Sequence, residues 1–221
     1  MKHKMLQARL ISGFERIADG ELCFFLPAMS GLAAEVVDIL GCLPIANVNA
    51  ELMASLSRQR KARPIDFACI FAADPFYDPE RLSDDMLSFG VGGVANVPSI
   101  GFLTGPFSEA MRASGFDFRL EMRCLGAAKR QGLQTAALVW SFEQGIHALE
   151  HGPELLVIHP GRPTSHKDSP SALAEEAAKT VSRLRERAKN DCKILLYRHP
   201  AFFEHLEIAA KQADGIVLYG S

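Results

Sequence analysis

The chain has 221 residues, 48% of them hydrophobic, and a formal net charge of −2 from 24 Lys and Arg against 26 Asp and Glu. That is enough for one sizeable core, read as a single domain over residues 1–221, and the mixed charges leave no basic stripe with interleaved aromatics for nucleic acid. No apolar run approaches the roughly 20 residues that cross a bilayer, and the N-terminal Met-Lys-His-Lys-Met is followed by no apolar signal core, so the sequence reads as a cytoplasmic protein.

Leu6, Leu10, Phe14 and Ile17 fall at helical spacing and predict a helix over 5–19, ended by Gly20. Glu21 to Ala28 reads as the first strand. Ser30 then caps a helix with Leu32, Val36, Ile39 and Leu40 on one face, closed by Gly41. Leu43 to Val48 reads as a second strand, followed by a helix through Met53 and Leu56. Asp66 to Phe71 is a third strand; Leu82, Met86 and Leu87 mark a short helix before the fourth, Val91 to Val97. Pro98, Gly101 and Gly105 shape a long loop after it, up to a strong helical stretch over 118–131. Thr135 to Trp140 is a fifth strand, and Ser141-x-x-Gln144 is a capping box opening the next helix, which Gly152 ends. Leu155 to Ile158 is a sixth strand. Ser169-Pro170 starts a helix carrying Leu173, Ala177, Val181, Leu184 and Ala188. Lys193 to Tyr197 is a seventh strand, Phe203, Leu206, Ala209 and Ala210 mark a helix, and Ile216 to Tyr219 is an eighth strand.

The fourth strand in particular is an apolar run with no exposed face, and strands alternate with helices, which implies a parallel sheet covered on both sides. Eight units imply a (β/α)8 barrel with an extra N-terminal helix and no eighth helix after the last strand; a doubly wound open sheet has the same local pattern. The missing helix leaves a seam for the N-terminal helix or another subunit to cover, so a homo-oligomer or partner subunit is expected. The five cysteines are scattered without Cys-x-x-Cys spacing and read as reduced structural thiols.

In a barrel the strand ends converge on one mouth, where chemistry collects. The polar residues at those ends are Asn47 and Asn49, Asp74, Asn96, Glu143, His159 with Arg162, Arg198 with His199, and Ser221. Each has a structural explanation by itself: Asp74 before Pro75 starts a turn, Asn96 caps one, and the histidines end strands. Together they permit a coherent chemistry. Asp74 can anchor Mg²⁺, histidines move protons near neutral pH, and Asn or Arg hold carboxylate or enolate oxygens. His147 and His151 share a helix face and can bind metal, but near a helix C-terminus they equally favour the dipole. No Gly-x-Ser-x-Gly elbow or Walker loop occurs, and Gly90-x-Gly92-Gly93 opens its strand rather than following one.

These residues carry a resemblance. Ala-Asp74-Pro75-Phe76, the run Gly92-Gly-Val-Ala-Asn96-Val-Pro98-Ser-Ile-Gly101, and Ser114-Gly115-Phe-Asp-Phe-Arg-Leu-Glu121-Met122 resemble motifs of the phosphoenolpyruvate hydrolase-like TIM-barrel family. His159-x-Gly161, His199 and Gly220-Ser221 resemble its strand-end residues. The resemblance implies a barrel related to the phosphoenolpyruvate mutase and isocitrate lyase superfamily, acting on 2-oxo acids or their enolates with Mg²⁺. It implies a hydrolase or lyase for a small carboxylate. Asp74 would hold metal or substrate, Asn47, Asn96, Glu121, Arg162, Arg198 and Ser221 would bind substrate, and His159 and His199 would transfer protons. The chain also departs from the family pattern. Leu26-Pro-Ala-Met-Ser-Gly31-Leu32 stands where the family has a glycine-rich run, and Asn47-Val-Asn-Ala-Glu-Leu-Met replaces a long Gly/Arg-rich segment. Those departures motivate the alternative of a non-catalytic barrel serving as a binding or regulatory subunit.

Overall fold

The computed structural model describes residues 5–13, 19–32, 37, 47–58, 65–161, 169–189, 191–199 and 204–220. Eight parallel strands close into a barrel in sequence order: β1 (Leu6–Ile11), β2 (Leu22–Phe25), β3 (Phe67–Ile70), β4 (Gly93–Asn96), β5 (Gln134–Val139), β6 (Leu155–Ile158), β7 (Lys193–Tyr197) and β8 (Gly215–Tyr219). Seven helices are described outside them: α1 (Val48–Arg58), α2 (Pro79–Ser88), α3 (Gly105–Ala113), α4 (Phe118–Arg130), α5 (Phe142–Glu150), α6 (Pro170–Arg185) and α7 (Glu207–Gln212). Among the described residues no helix is long and apolar enough to cross a membrane.

The strands have two buried faces because side chains alternate. One set, including Leu10, Phe24, Phe67, Cys69, Ala95, Leu138, Val157, Leu195 and Val217, fills the barrel. The other, including Ile11, Phe25, Ile70, Val94, Val139, Ile158 and Leu196, packs with helix residues such as Leu52, Met86, Met122, Leu125, Val181 and Leu184. This double covering explains the strands' lack of polar alternation.

The barrel class is as expected from the sequence, but its start is different. The predicted N-terminal helix over 5–19 is contradicted for its first part: Leu6–Ile11 is a strand, paired with β2 on one side and β8 on the other. Leu6 and Leu10 satisfy both periods, since positions four apart share a face in a strand and in a helix; the deciding pair is Gln7 and Arg9, both left outside the buried core while Ala8 and Leu10 are buried. The expected first strand is therefore β2. The expected second strand falls mostly on residues 43–46, outside the described residues, and its last residue, Val48, begins α1. Pairing of β1 with β8 closes the strand ladder into a ring. Helix α3, within the segment read as a loop, is the other addition.

The lower rim is tied by acidic side chains that replace ladder bonds. Asp66, just before β3, accepts from the Cys23 N–H at 2.8 Å; Glu154, before β6, accepts from Thr135 N–H at 2.7 Å; Asp214, before β8, accepts from Ile194 N–H at 2.8 Å. Hydrogen bonding to Lys129 and the Thr135 N–H holds the Glu154 carboxyl below its ordinary range despite the opposing, larger pull of burial. The repeated device satisfies strand-start donors, and it belongs to the stability end of a barrel.

Candidate functional site

The upper ends of β5, β6 and β7 build the mouth. Continuing each inward register past its strand places Trp140 after Leu138, His159 after Val157, and His199 after Tyr197. The rings touch. Trp140 stacks on His159 at 3.6 Å between centroids, with planes 22° apart, and Tyr197 stacks on the same histidine at 5.0 Å. The His159 and His199 centroids are 5.7 Å apart, edge to face, and Phe102 reaches Trp140 at 5.6 Å. Both histidines are buried, at 2% and 1% exposure. The Gly161 N–H donates to His159 Nδ1 at 3.1 Å, so the neutral ring carries its proton on Nε2. Beneath this layer His159, Tyr197, Phe24, Leu138, Val157 and their neighbours enclose an apolar cavity of about 20 Å³. That holds roughly one water molecule, too little for a ligand of several heavy atoms.

Trp140 is also held from behind. Its backbone N–H donates to Gln144 Oε1 at 2.9 Å, and Gln144 Nε2 donates to the Gly101 carbonyl at 2.6 Å. Its indole N–H is shielded from solvent and meets no acceptor among the described residues; an unmade buried hydrogen bond costs about 1–3 kcal/mol.

The structure brings His159 and His199 together and gives Asn47, Asn96, Asp74, Glu121 and Arg198 other partners. Asn96 lies on the outward register, because Ala95 and Val97 face in. Its amide bridges β4 to β5, with Oδ1 accepting from Leu138 N–H at 2.7 Å and Nδ2 donating to the Leu138 carbonyl at 3.3 Å and to Glu121 at 2.8 Å. Glu121, fully buried on α4, also accepts from Ser99 Oγ at 2.6 Å and Ile100 N–H at 2.7 Å. Burial pushes its carboxyl up to about 7, against the pull of those hydrogen bonds. This pair pins the loop after β4 from outside the barrel. Asn47 is exposed and caps α1, its Oδ1 accepting from Ala50 N–H at 2.9 Å. Arg198 is also on the outward register, paired with Glu207 at 2.7 Å. Arg162 and Ser221 lie outside the described residues.

Both Asp74 carboxylate oxygens are engaged: Oδ1 accepts from Phe76 N–H at 3.0 Å and Oδ2 from the Asn49 side-chain Nδ2 at 3.2 Å. Asn49, fully buried, also accepts from Phe71 N–H at 2.9 Å and donates to its carbonyl at 3.1 Å, so it anchors the end of β3. Among the described residues no group of three or more His, Cys, Asp and Glu is placed to hold a metal ion. At Asp74 the carboxylate's work in the structure is turn formation.

Sequence reasoning missed Trp140 and Tyr197. Their signal was the period of two: each extends or belongs to an inward set that the strand assignment already defined. A second opening, of about 520 Å³, lies away from the mouth between α3, α4 and α5, with Arg112, Phe118, Glu143 and His147 among its walls.

The comparisons agree with this architecture. Two curated tomato (Solanum lycopersicum) proteins match over 132 residues: the ToMV resistance protein Tm-1(GCR237) at 29% identity and the ToMV susceptible protein tm-1(GCR26) at 28%. The match covers 58% of this chain and 17% of each tomato protein. The crystal structure of the putative copper homeostasis protein CutC from Streptococcus agalactiae superposes with a TM-score of 0.51 over 98% of both chains at 13% identity, which shows the fold alone. The model of the phosphoenolpyruvate hydrolase-like family matches residues 30–199, from just after β2 through His199, and the chain belongs to that family.

Proposed function

We propose that the barrel mouth is a site for a small 2-oxo or enol-type carboxylic acid, with His159 and His199 as its proton-transfer pair. The observation that carries this reading is the pairing itself: two buried histidines on adjacent strands, both on the inward register, with ring centroids 5.7 Å apart at the end of the barrel where such folds do chemistry. His159, with its proton on Nε2, donates to the carbonyl or enol oxygen as negative charge builds there. His199 takes a proton from the adjacent carbon, or returns one to it. Membership of a phosphoenolpyruvate hydrolase-like family supports the substrate class.

The test is pyruvate release from phosphoenolpyruvate, phosphonopyruvate, oxaloacetate and 2-methylisocitrate, with Mg²⁺ and with a chelator. One acid should react, and His159→Ala and His199→Ala should each slow it by about 10²-fold or more. Full turnover in either variant refutes the roles.

One observation favours a second reading, a non-catalytic binding subunit: the described mouth is aromatic and the carboxylate expected to hold metal or substrate, Asp74, is held in a turn. Silence across the acids, with a protein partner retained through native purification, supports that reading.

A further inference from the structure

Ser141 and Gln144 open α5 at the spacing at which a Ser cap and a Gln close a helix start on each other. One half of that exchange is made: Ser141 Oγ accepts from the Gln144 N–H at 3.2 Å. The Gln144 amide does something else. It reaches past Ser141 to the Trp140 N–H, which its Oε1 accepts at 2.9 Å, and its Nε2 donates at 2.6 Å to the Gly101 carbonyl in the loop after β4. Both partners are backbone groups of fixed polarity, so the amide has one orientation. The fit is close: a Cβ on Gly101 would lie 3.1 Å from Gln144 Oε1 and 3.0 Å from Ser99 Oγ.

The amide thereby joins the two sides of the aromatic layer. Phe102 follows Gly101 and packs on Trp140, and Trp140 lies on His159 at 3.6 Å. The loop end is itself anchored, since Gly101 N–H donates to Ser99 Oγ and Ser99 Oγ donates to the buried Glu121.

We propose that Gln144 is a positioning residue: by tying Trp140 to the loop, it fixes the plane on which the His159 imidazole rests and hence the direction of its Nε2 proton. This deepens the reading of the mouth and rests on it. The role needs an amide, whereas a cap does not. Glutamate serves a capping box as well as glutamine, but a carboxylate has no hydrogen for the Gly101 carbonyl and sets two acceptors face to face.

The experiment compares Gln144→Glu with Ser141→Ala, which removes the cap and keeps the amide. His159 is followed by the ring carbon–proton resonance that is missing from His159→Gln, because an aromatic face at 3.6 Å displaces that resonance upfield. Tm is measured for each protein, and kcat and KM for the reacting acid. In Gln144→Glu the expected result is a downfield move of the His159 resonance, with kcat lowered about 10- to 100-fold and KM changed less than about threefold. In Ser141→Ala it is a lowered Tm with the resonance in place. An unmoved resonance in Gln144→Glu, an equal move in Ser141→Ala, or a moved resonance with unchanged kcat overturns the role of Gln144 and leaves the histidine pair standing. A move confined to Gln144→Glu, with no acid turned over by the unaltered protein, supports the Gln144 tie and refutes the proton-transfer reading.

Discussion

Glu121 makes the stability of this barrel depend on pH in a direction opposite to that of a typical salt-bridged carboxylate. Its carboxyl is fully buried on α4 and pushed up to about 7 from an ordinary 4.5. Below pH 4.5 both folded and unfolded chains carry the proton. Between 4.5 and about 7 the unfolded chain releases it and the folded chain keeps it, so stability falls as pH rises; above about 7 both have lost it and the loss levels off. From pH 5 to pH 8 the expected loss is about 2–3 kcal/mol, or roughly 5–10 °C in Tm for a domain of this size. Glu121→Gln has no such titration. Its amide also turns one acceptor toward Ile100 N–H, or toward Asn96 and Ser99, which costs about 1–3 kcal/mol. The wild type should thus be the more stable protein at pH 5, and its advantage should vanish or reverse by pH 8. Urea unfolding followed by circular dichroism at pH 5, 6, 7 and 8 measures both proteins. The difference between them isolates Glu121, because the seven histidines titrate alike in each. A gap that stays constant, or widens as pH rises, refutes the argument.

Three further outcomes follow from close contacts. A Cβ on Gly215 would meet the Leu6 carbonyl oxygen at 2.5 Å, and a strand backbone cannot step aside, so Gly215→Ala should cost about 3 kcal/mol or more in thermal unfolding. A Cβ on Gly145 would meet Leu184 Cδ1 at the same 2.5 Å, but that is the end of a side chain, so Gly145→Ala should cost about 1–2 kcal/mol and clearly less than Gly215→Ala in the same melts. Asn49→Ala leaves the Phe71 N–H and the Asp74 carboxylate without their partner; it should cost about 2 kcal/mol and speed hydrogen exchange at the end of β3 more than at β6.

The barrel was legible because its strands are buried on both faces and helices separate them with ordinary signals: Ser141 and Ser169 cap the helices that their spacing predicts, at 3.2 and 3.1 Å. What was not legible was β1, where Leu6 and Leu10 fit two periods at once and the partner that decides between them, β8, lies at the far end of the chain. Helix α3 was missed because it buries no residue and follows a loop rich in Gly and Pro, although Phe107, Ala110 and Met111 fall at helical spacing and Pro106 marks its first turn. In the site, position at a strand end was visible but the facing of each side chain was not. One step of register sends Asn96 and Arg198 outward and His159 and His199 inward. Asp74 and Asn47 looked chemical because the residues that make turns and caps are the same types that bind metals and substrates.

The pairing of Leu6 with Gly215 also sets a timetable for the chain. During synthesis β1 emerges first and finds β2 almost at once, but its other edge has no partner until β8 has been made. Until then the barrel is an open sheet with an exposed edge, the kind of surface that other chains can join. Closure is thus a late, long-range event with a high entropic threshold, and barrels knit from their two extremities fold slowly for that reason. A chain stalled just before Gly215 retains its helices and most of its strands yet lacks the one ladder that makes the sheet a ring.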